Sequence, residues 1–506
     1  MKRQDSKELA ARKSRLEERL SRDSWPEKGG PVLSGGNEEL AMSSRARATN
    51  VGGIVLIHRL VRQLGLPELI DENVELFQVR CPYHESDHVL NLAYNIVCGG
   101  RTLDDIERLR EDEAYLDGLG AVRIPDPTTA GDFLRRFSQQ DIDDLQEAIH
   151  VARQRVWRKN DGSFFERAII DVDGTIAGTQ GECKEGMDMS YKGIWGYAPL
   201  LVTLANTGEI LYTRNRPGNR PSHDGCFDYL DPAVDLVREA GFRSVLLRGD
   251  GHFALTDDFD HWTTKGVQFV FGLAAHEKLV EIAEGLESGE WRRLQRDSRR
   301  ERRVRRARAR KRRVKYEIIR ERGYKNLELE EESYAEFSYR PVKCGQTYRV
   351  VALRKTIRVR EGEALLFPET RYHFYITNAP KREMSARQVI RHANERCNQE
   401  NLIEQAKNGF HALRMPCDTM LANDAYMAIA ALAWNLKAWV AQLWHDRDEG
   451  QEIQRMEFRR FVESIIRIPC QVVLSGRRIV HRFLAFAGWL GSVFKTHARL
   501  RRLALR

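Results

Sequence analysis

The stretch Ala168-Ile169-Ile170-Asp171-Val172-Asp173-Gly174-Thr175 decides the fold class. A short apolar run rich in β-branched residues, stopped by Asp-Gly-Thr, reads as a strand. Downstream, residues 197–204 and 209–213 are β-rich runs around Asn206-Thr207-Gly208, which predicts a hairpin. A helix over 224–239 follows, closed by Gly241, then a strand over 244–247, a further helix and a strand over 267–271. Strand, hairpin, helix, strand, helix, strand is an α/β pattern built on a mixed sheet.

The acids at these strand ends are the candidate chemistry. Asp171 and Asp173 are two apart, so they share one face of their strand. Asp250 follows the run Val245-Leu246-Leu247-Arg248-Gly249, and in open α/β sheets functional residues gather at the carboxyl ends of strands. A long helix predicted over 385–408 carries Arg396, Glu400 and Lys407, which fall on one face at i, i+4 and i+11. Hard carboxylate oxygens suit Mg²⁺ or Mn²⁺. Two such ions about 3.5–4 Å apart support in-line displacement at phosphorus. The plainer alternatives are a turn cap for any single Asp and exposed i,i+4 ion pairs for the helix. A chain with 73 acidic residues always offers three acids in order, so spacing alone does not decide.

Charge is unevenly spread. Residues 292–315 hold fifteen Arg or Lys against Asp297 and Glu301, so the rest of a chain of net charge +9 is slightly acidic. Concentrated Arg suits a polyanion, because each neutralised phosphate releases counterions. Arg299, Arg302, Arg305, Arg306, Arg310, Lys311, Arg312 and Arg313 are the candidate DNA contacts here, against the alternative of a solvated basic helix or loop.

The remaining features bound the function class. Eight scattered cysteines without a CxxC pair fit a reducing cytoplasm. Cys81-x-x-His84-x-x-x-His88 has zinc-like spacing but lacks an evident fourth ligand. The charged N-terminus has no apolar run behind it, and Asn435, Lys437 and Gln442 interrupt the longest apolar stretch, 425–444. Neither a secretion signal nor a membrane span is expected. No Gly-x-x-x-x-Gly-Lys-Ser/Thr occurs, so no nucleotide cofactor is expected.

With 506 residues, two to four domains are expected. We divide the chain into a flexible charged arm (1–36), a helical DNA-binding domain (37–160), a first catalytic part (161–275), an inserted β-rich domain with the Arg-rich arm (276–380), a second catalytic part (381–412) and a helical C-terminal region (413–506). Thr129-x-x-Asp132 predicts a helix start, helices are expected over 418–446 and 453–466, and a hairpin around Gly476.

Together, the Asp-Gly-Thr strand end, the Asp250 strand end and the Arg396/Glu400/Lys407 helix resemble bacterial insertion-sequence DDE transposases. The related insertion-sequence-four group carries Tyr-x2-Arg-x3-Glu-x6-Lys on this helix; here Ala393 stands in the Tyr position. Tyr83-His84-Glu85-Ser86-Asp87-His88, Ala130-Gly131-Asp132-Phe133, Gly196-Tyr197-Ala198-Pro199-Leu200, Arg216-Pro217-Gly218-Asn219 and Glu400-Asn401 resemble the insertion-sequence thirteen-eighty family. The resemblance implies a ribonuclease-H-like catalytic core interrupted by an inserted β-rich domain. It makes Asp173, Asp250 and Glu400 the catalytic ligands of two Mg²⁺ (or Mn²⁺) ions, with Asp171 the rival for the first place. It sets Arg396 and Lys407 against the phosphate backbone. It further implies binding of terminal inverted repeats, cleavage that frees a 3′-OH, joining to target DNA, and a homodimer in a synaptic complex at the bacterial nucleoid. Relatives cut the second strand through a DNA hairpin with an aromatic residue on a flipped base. Where some carry Trp after the signature Arg, this chain has Cys397, and Trp291 is the candidate substitute. The alternative is a domesticated relative that binds DNA without cleaving it.

Overall fold

The computed structural model describes residues 2–21, 39–41, 46–295, 322, 325–361, 364–365 and 368–505. Its centre is a mixed sheet. Strands β1 (Ala168–Gly174), β2 (Leu200–Leu204), β3 (Glu209–Arg214), β4 (Val245–Gly249) and β5 (Gln268–Leu273) lie in the order β3-β2-β1-β4-β5. β1 runs parallel to β4 and β4 to β5, while β2 is antiparallel to both its neighbours. All five residues of β2 and of β4 are buried, which is why these strands read as continuous apolar runs rather than alternating ones.

The β-rich segments of 276–380, expected as an inserted domain, continue this same sheet. Strands β6 (Lys325–Tyr339), β7 (Tyr348–Glu361) and β8 (Glu369–Thr377) are antiparallel neighbours, and β8 pairs with β5. With the short strand Arg292–Arg293 and a stub at Ala364–Leu365, the sheet has ten strands among the described residues. β8 covers the backbone groups that β5 would otherwise leave unpaired at an edge.

Helices close both faces. Helix α1 (Gln139–Trp157) precedes the sheet, and helix α2 (Phe227–Glu239) packs Leu230, Ala233 and Val234 onto Ile170, Val172 and Leu247. Helix α3 (Ala386–Asn394) sets Val389 and Ile390 against Leu246 and Val270 on the other face. Helix α4 (Cys397–Asn408) follows directly. Helix α5 (Met420–Gln442) is buried from Ala422 to Ala441; no described helix is long and apolar enough to cross a membrane.

One buried carboxylate joins three of these elements. Glu209, at the start of β3, is fully buried and accepts from Trp157 Nε1 (2.9 Å), Trp439 Nε1 (2.6 Å), Gln442 Nε2 (3.0 Å), Thr207 Oγ1 (2.6 Å) and Arg153 Nε (3.2 Å). β3, α1 and α5 are therefore pinned at a single point, with the buried charge paired and hydrogen-bonded.

Three local expectations are corrected. Residues Arg3–Leu20, expected within a loose arm, form a helix. The Glu8–Arg12 (2.8 Å) and Lys13–Glu17 (3.6 Å) pairs run along it, and Arg12 donates to the Phe483 carbonyl at 2.9 Å. The helix expected to open at Thr129 starts at Pro127, because Asp126 is the cap and accepts from the Thr129 amide at 2.8 Å. The helix expected over 453–466 is broken into Arg447–Arg455, Phe458–Phe461 and a π turn at Val462–Ile466. The break frees the Gln454 and Met456 carbonyls, and both accept from the buried Lys437 ammonium.

Candidate active site

Asp173 is the penultimate residue of β1, paired in register with Leu201 of β2. Its side chain is 16% exposed. Burial pushes its carboxyl up to about 6; the Arg396 charge opposes this, and the charges of Asp250 and Glu400 add to it. The three carboxylates therefore share one electrostatic neighbourhood.

Asp250 directly follows β4 and caps the turn Gly251–Phe253, accepting from the His252 amide at 2.8 Å. Glycine is needed just before it. A Cβ on Gly249 would lie 2.7 Å from the Phe271 ring and 2.8 Å from Phe253 Cβ. His252 itself is exposed.

Glu400 lies in the first turn of α4 and is exposed. The single helix expected over 385–408 is two helices, with Glu395 and Arg396 in the turn between them. Arg396 is consequently the N-cap residue of α4, not a mid-helix one. It is 15% exposed, its Nη2 lies 3.5 Å from Asp173 Oδ2, and its Nε is buried without a hydrogen-bond partner. Lys407 is exposed in the last turn of the same helix.

Asp171 is differently engaged. It is 1% exposed, and both its oxygens accept from the buried Arg248, at 2.6 and 2.7 Å. Arg248 also donates to the His392 carbonyl at 3.2 Å and lies 3.8 Å from Glu395. This pair ties β1 and β4 to the end of α3, where the chain turns into Arg396. No local pattern around Asp171 or Arg248 marks this role. A second missed residue is Gln399, which is 2% exposed, accepts the Thr203 hydroxyl and donates to the Leu201 carbonyl at 3.4 Å. It anchors α4 to the strand beside Asp173. Arg216 gives its Arg-Pro-Gly-Asn motif a structural reason, donating to the carbonyls of Ala198 (2.9 Å), Ser222 (3.0 Å) and Asp224 (2.6 Å).

The donor set fits a hard divalent cation in kind: three carboxylates with one guanidinium nearby leave negative charge uncompensated. Among the described residues, no three His, Cys, Asp or Glu side chains converge closely enough to hold a metal ion. The charges of Asp250 and Glu400 act on Asp173, but the three carboxylates do not close on a common point. The Cys81/His84/His88 spacing does not build a metal site there either. Cys81 is exposed, and the buried His88 ring stacks on Phe133 at 4.4 Å.

Trp291 packs near Tyr372 with the Arg354 guanidinium 4.1 Å over its ring. The basic candidates Arg299, Arg302, Arg305, Arg306, Arg310, Lys311, Arg312 and Arg313 lie outside the described residues.

Residues 41–505 match the family model of the transposase DDE domain, group 1, and the chain belongs to this family of DDE-type DNA transposases. DDE transposases act on DNA and use divalent metal ions. No curated protein matches the chain. Among solved structures, the cryo-EM structure of the piggyBac transposase synaptic complex with hairpin DNA is similar at 8% identity and a TM-score of 0.38, covering 84% of each chain.

Proposed function

We propose that the chain binds the terminal inverted repeats of its own element, cleaves DNA at those ends and joins the freed 3′-OH to target DNA. It acts as a homodimer in a synaptic complex at the bacterial nucleoid. The strand order β3-β2-β1-β4-β5, with Asp173 and Asp250 at the ends of adjacent parallel strands, supports a ribonuclease-H-like core. The observation that carries the reading is the placement of Asp173 and Asp250 at the ends of adjacent parallel strands, with Arg396, the cap of the helix that bears Glu400, 3.5 Å from Asp173.

These three residues would hold two Mg²⁺ (or Mn²⁺) ions, which would stabilise charge on the attacking and leaving oxygens at phosphorus. Asp173 takes the first place because Arg248 occupies both oxygens of Asp171. Arg396 orients Asp173 and, with Lys407 and the Arg-rich arm, attracts the phosphate backbone.

The test is strand cleavage of the DNA flanking the coding region, in Mg²⁺. Asp250→Asn and Glu400→Gln are expected to abolish nicking and retain binding. Nicking at the wild-type rate by either variant would overturn the assignment. Specific binding without nicking by the wild-type chain would favour the domesticated, DNA-binding relative.

A further inference from the structure

A separate concentration of positive charge lines a cleft of about 830 Å³ built on elements that carry none of the site carboxylates. Its walls are the helix Ile54–Leu64, the hairpin Cys470–Ser475/Arg478–Phe483 and the helix Leu490–Leu500. Arg59, Arg62, Arg477, Arg478, Arg501 and Lys2 face it, and its described lining contains no Asp or Glu. Arg62 lies 3.7 Å from Glu68. Arg59, Arg477, Arg478 and Arg501 form no ion pair among the described residues.

Two imidazoles in the same lining sharpen the picture. His481 Nδ1 and His497 Nε2 are buried without a hydrogen-bond partner. Burial, and then the neighbouring Arg59 charge, hold the His497 imidazole down at about 4, so near neutral pH this ring adds no charge of its own to the cleft. Uncompensated guanidinium forks are the donors best matched to phosphate oxygens. The hairpin places Arg477 and Arg478 at an exposed tip, just after Gly476 (φ 58°), and a two-stranded ribbon is of a width that a major groove admits.

We propose that this cleft grips the phosphate backbone of duplex DNA at the element's end, apart from the cleavage centre. The source of the DNA rests on the transposition reading; the chemistry of the cleft does not. Contacts to phosphate carry no base information, so the grip is independent of sequence.

The experiment uses the full chain with Arg477→Ala, Arg478→Ala and Arg501→Ala combined. All three are exposed, so the fold is expected to survive, which circular dichroism and the melting temperature check. Anisotropy is measured on a duplex of the flanking DNA and on a scrambled duplex of equal length, over roughly 50–200 mM salt. The expected result is a similar loss of affinity on both duplexes and a log K versus log salt slope shallower by about three. Lysine at the same three positions is expected to restore the slope. An unchanged affinity and slope would overturn the proposal. So would a variant that loses binding to polyglutamate while keeping DNA, which would mark an acidic-peptide surface instead. If wild type binds through the cleft but never nicks, the transposition reading falls and the cleft stands. If nicking persists while the three alanines leave the salt slope unmoved, the cleft falls and that reading stands.

Discussion

Two carboxylate centres lie on the same sheet and are built in opposite ways. At Glu209 five donors from α1, α5 and the turn between β2 and β3 converge on one fully buried acid. At the mouth of the sheet, Asp173 has one guanidinium at 3.5 Å and two further carboxylates acting on it. The first centre is complete and rigid. The second is left short of positive charge. A single acid in a strand therefore means little until its partners are counted. The same contrast recurs within β1, where Asp171 is fully engaged and Asp173, two residues on, is not.

The comparison is sharpened most by removing charge at the mouth. Asp250→Asn or Glu400→Gln is expected to slow end cleavage at least about a thousandfold, about 4 kcal/mol of barrier, while the melting temperature holds or rises. A melting temperature that collapses with activity would mean that these acids are structural too. Glu209→Ala should do the reverse. Orphaning several buried donors at about 1–3 kcal/mol each amounts to about 5 kcal/mol or more, read as a lowered urea midpoint. Asp171→Asn is intermediate. It leaves the buried Arg248 short of its counter-charge, at about 3 kcal/mol, and loosens the turn that carries Arg396, so cleavage should fall too. Normal cleavage and an unchanged midpoint would show that pair to be idle.

The effect that is smallest per unit of change is read against pH, on α5, the helix that also carries two of the Glu209 donors. Burial holds the Lys437 ammonium down at about 7, from an ordinary 10.5. Between those values the unfolded chain binds the extra proton, so stability should climb with pH from about 7 towards 10.5 and be lost as pH falls through 7. The slope is at most about 1.4 kcal/mol per pH unit. Subtracting the Lys437→Met curve isolates it, and identical curves would exclude this contribution.

The strands and the hairpin were legible because apolar runs and the Asn-Thr-Gly turn are local signals. The three carboxylates were legible as strand-end and helix-face acids, helped by a family pattern. The break between α3 and α4 was not. No Pro or Gly marks 385–408, and the residues that fix it, Arg248 on the His392 carbonyl and Gln399 on β2, act across the fold. The role of Asp171 was hidden for the same reason, since its partner lies 77 residues away. The β-rich texture of 276–380 was readable, but which edge those strands join depends on β5 being left open. The basic cleft joins segments from opposite ends of the chain, and no window of sequence contains it.

One feature of the sheet also has a mechanical side. β6 and β7, of 15 and 14 residues, outrun β8, whose pairing with β7 stops at Ile357. A fourteen-residue ribbon reaches about 45 Å. Its inner half is laddered to β8, β8 to β5, and β5 to the strand that ends at Asp250. The ribbon is thus a lever whose fulcrum is the sheet: torque applied to its outer end is carried through consecutive hydrogen-bonded ladders to the strand that aims Asp250.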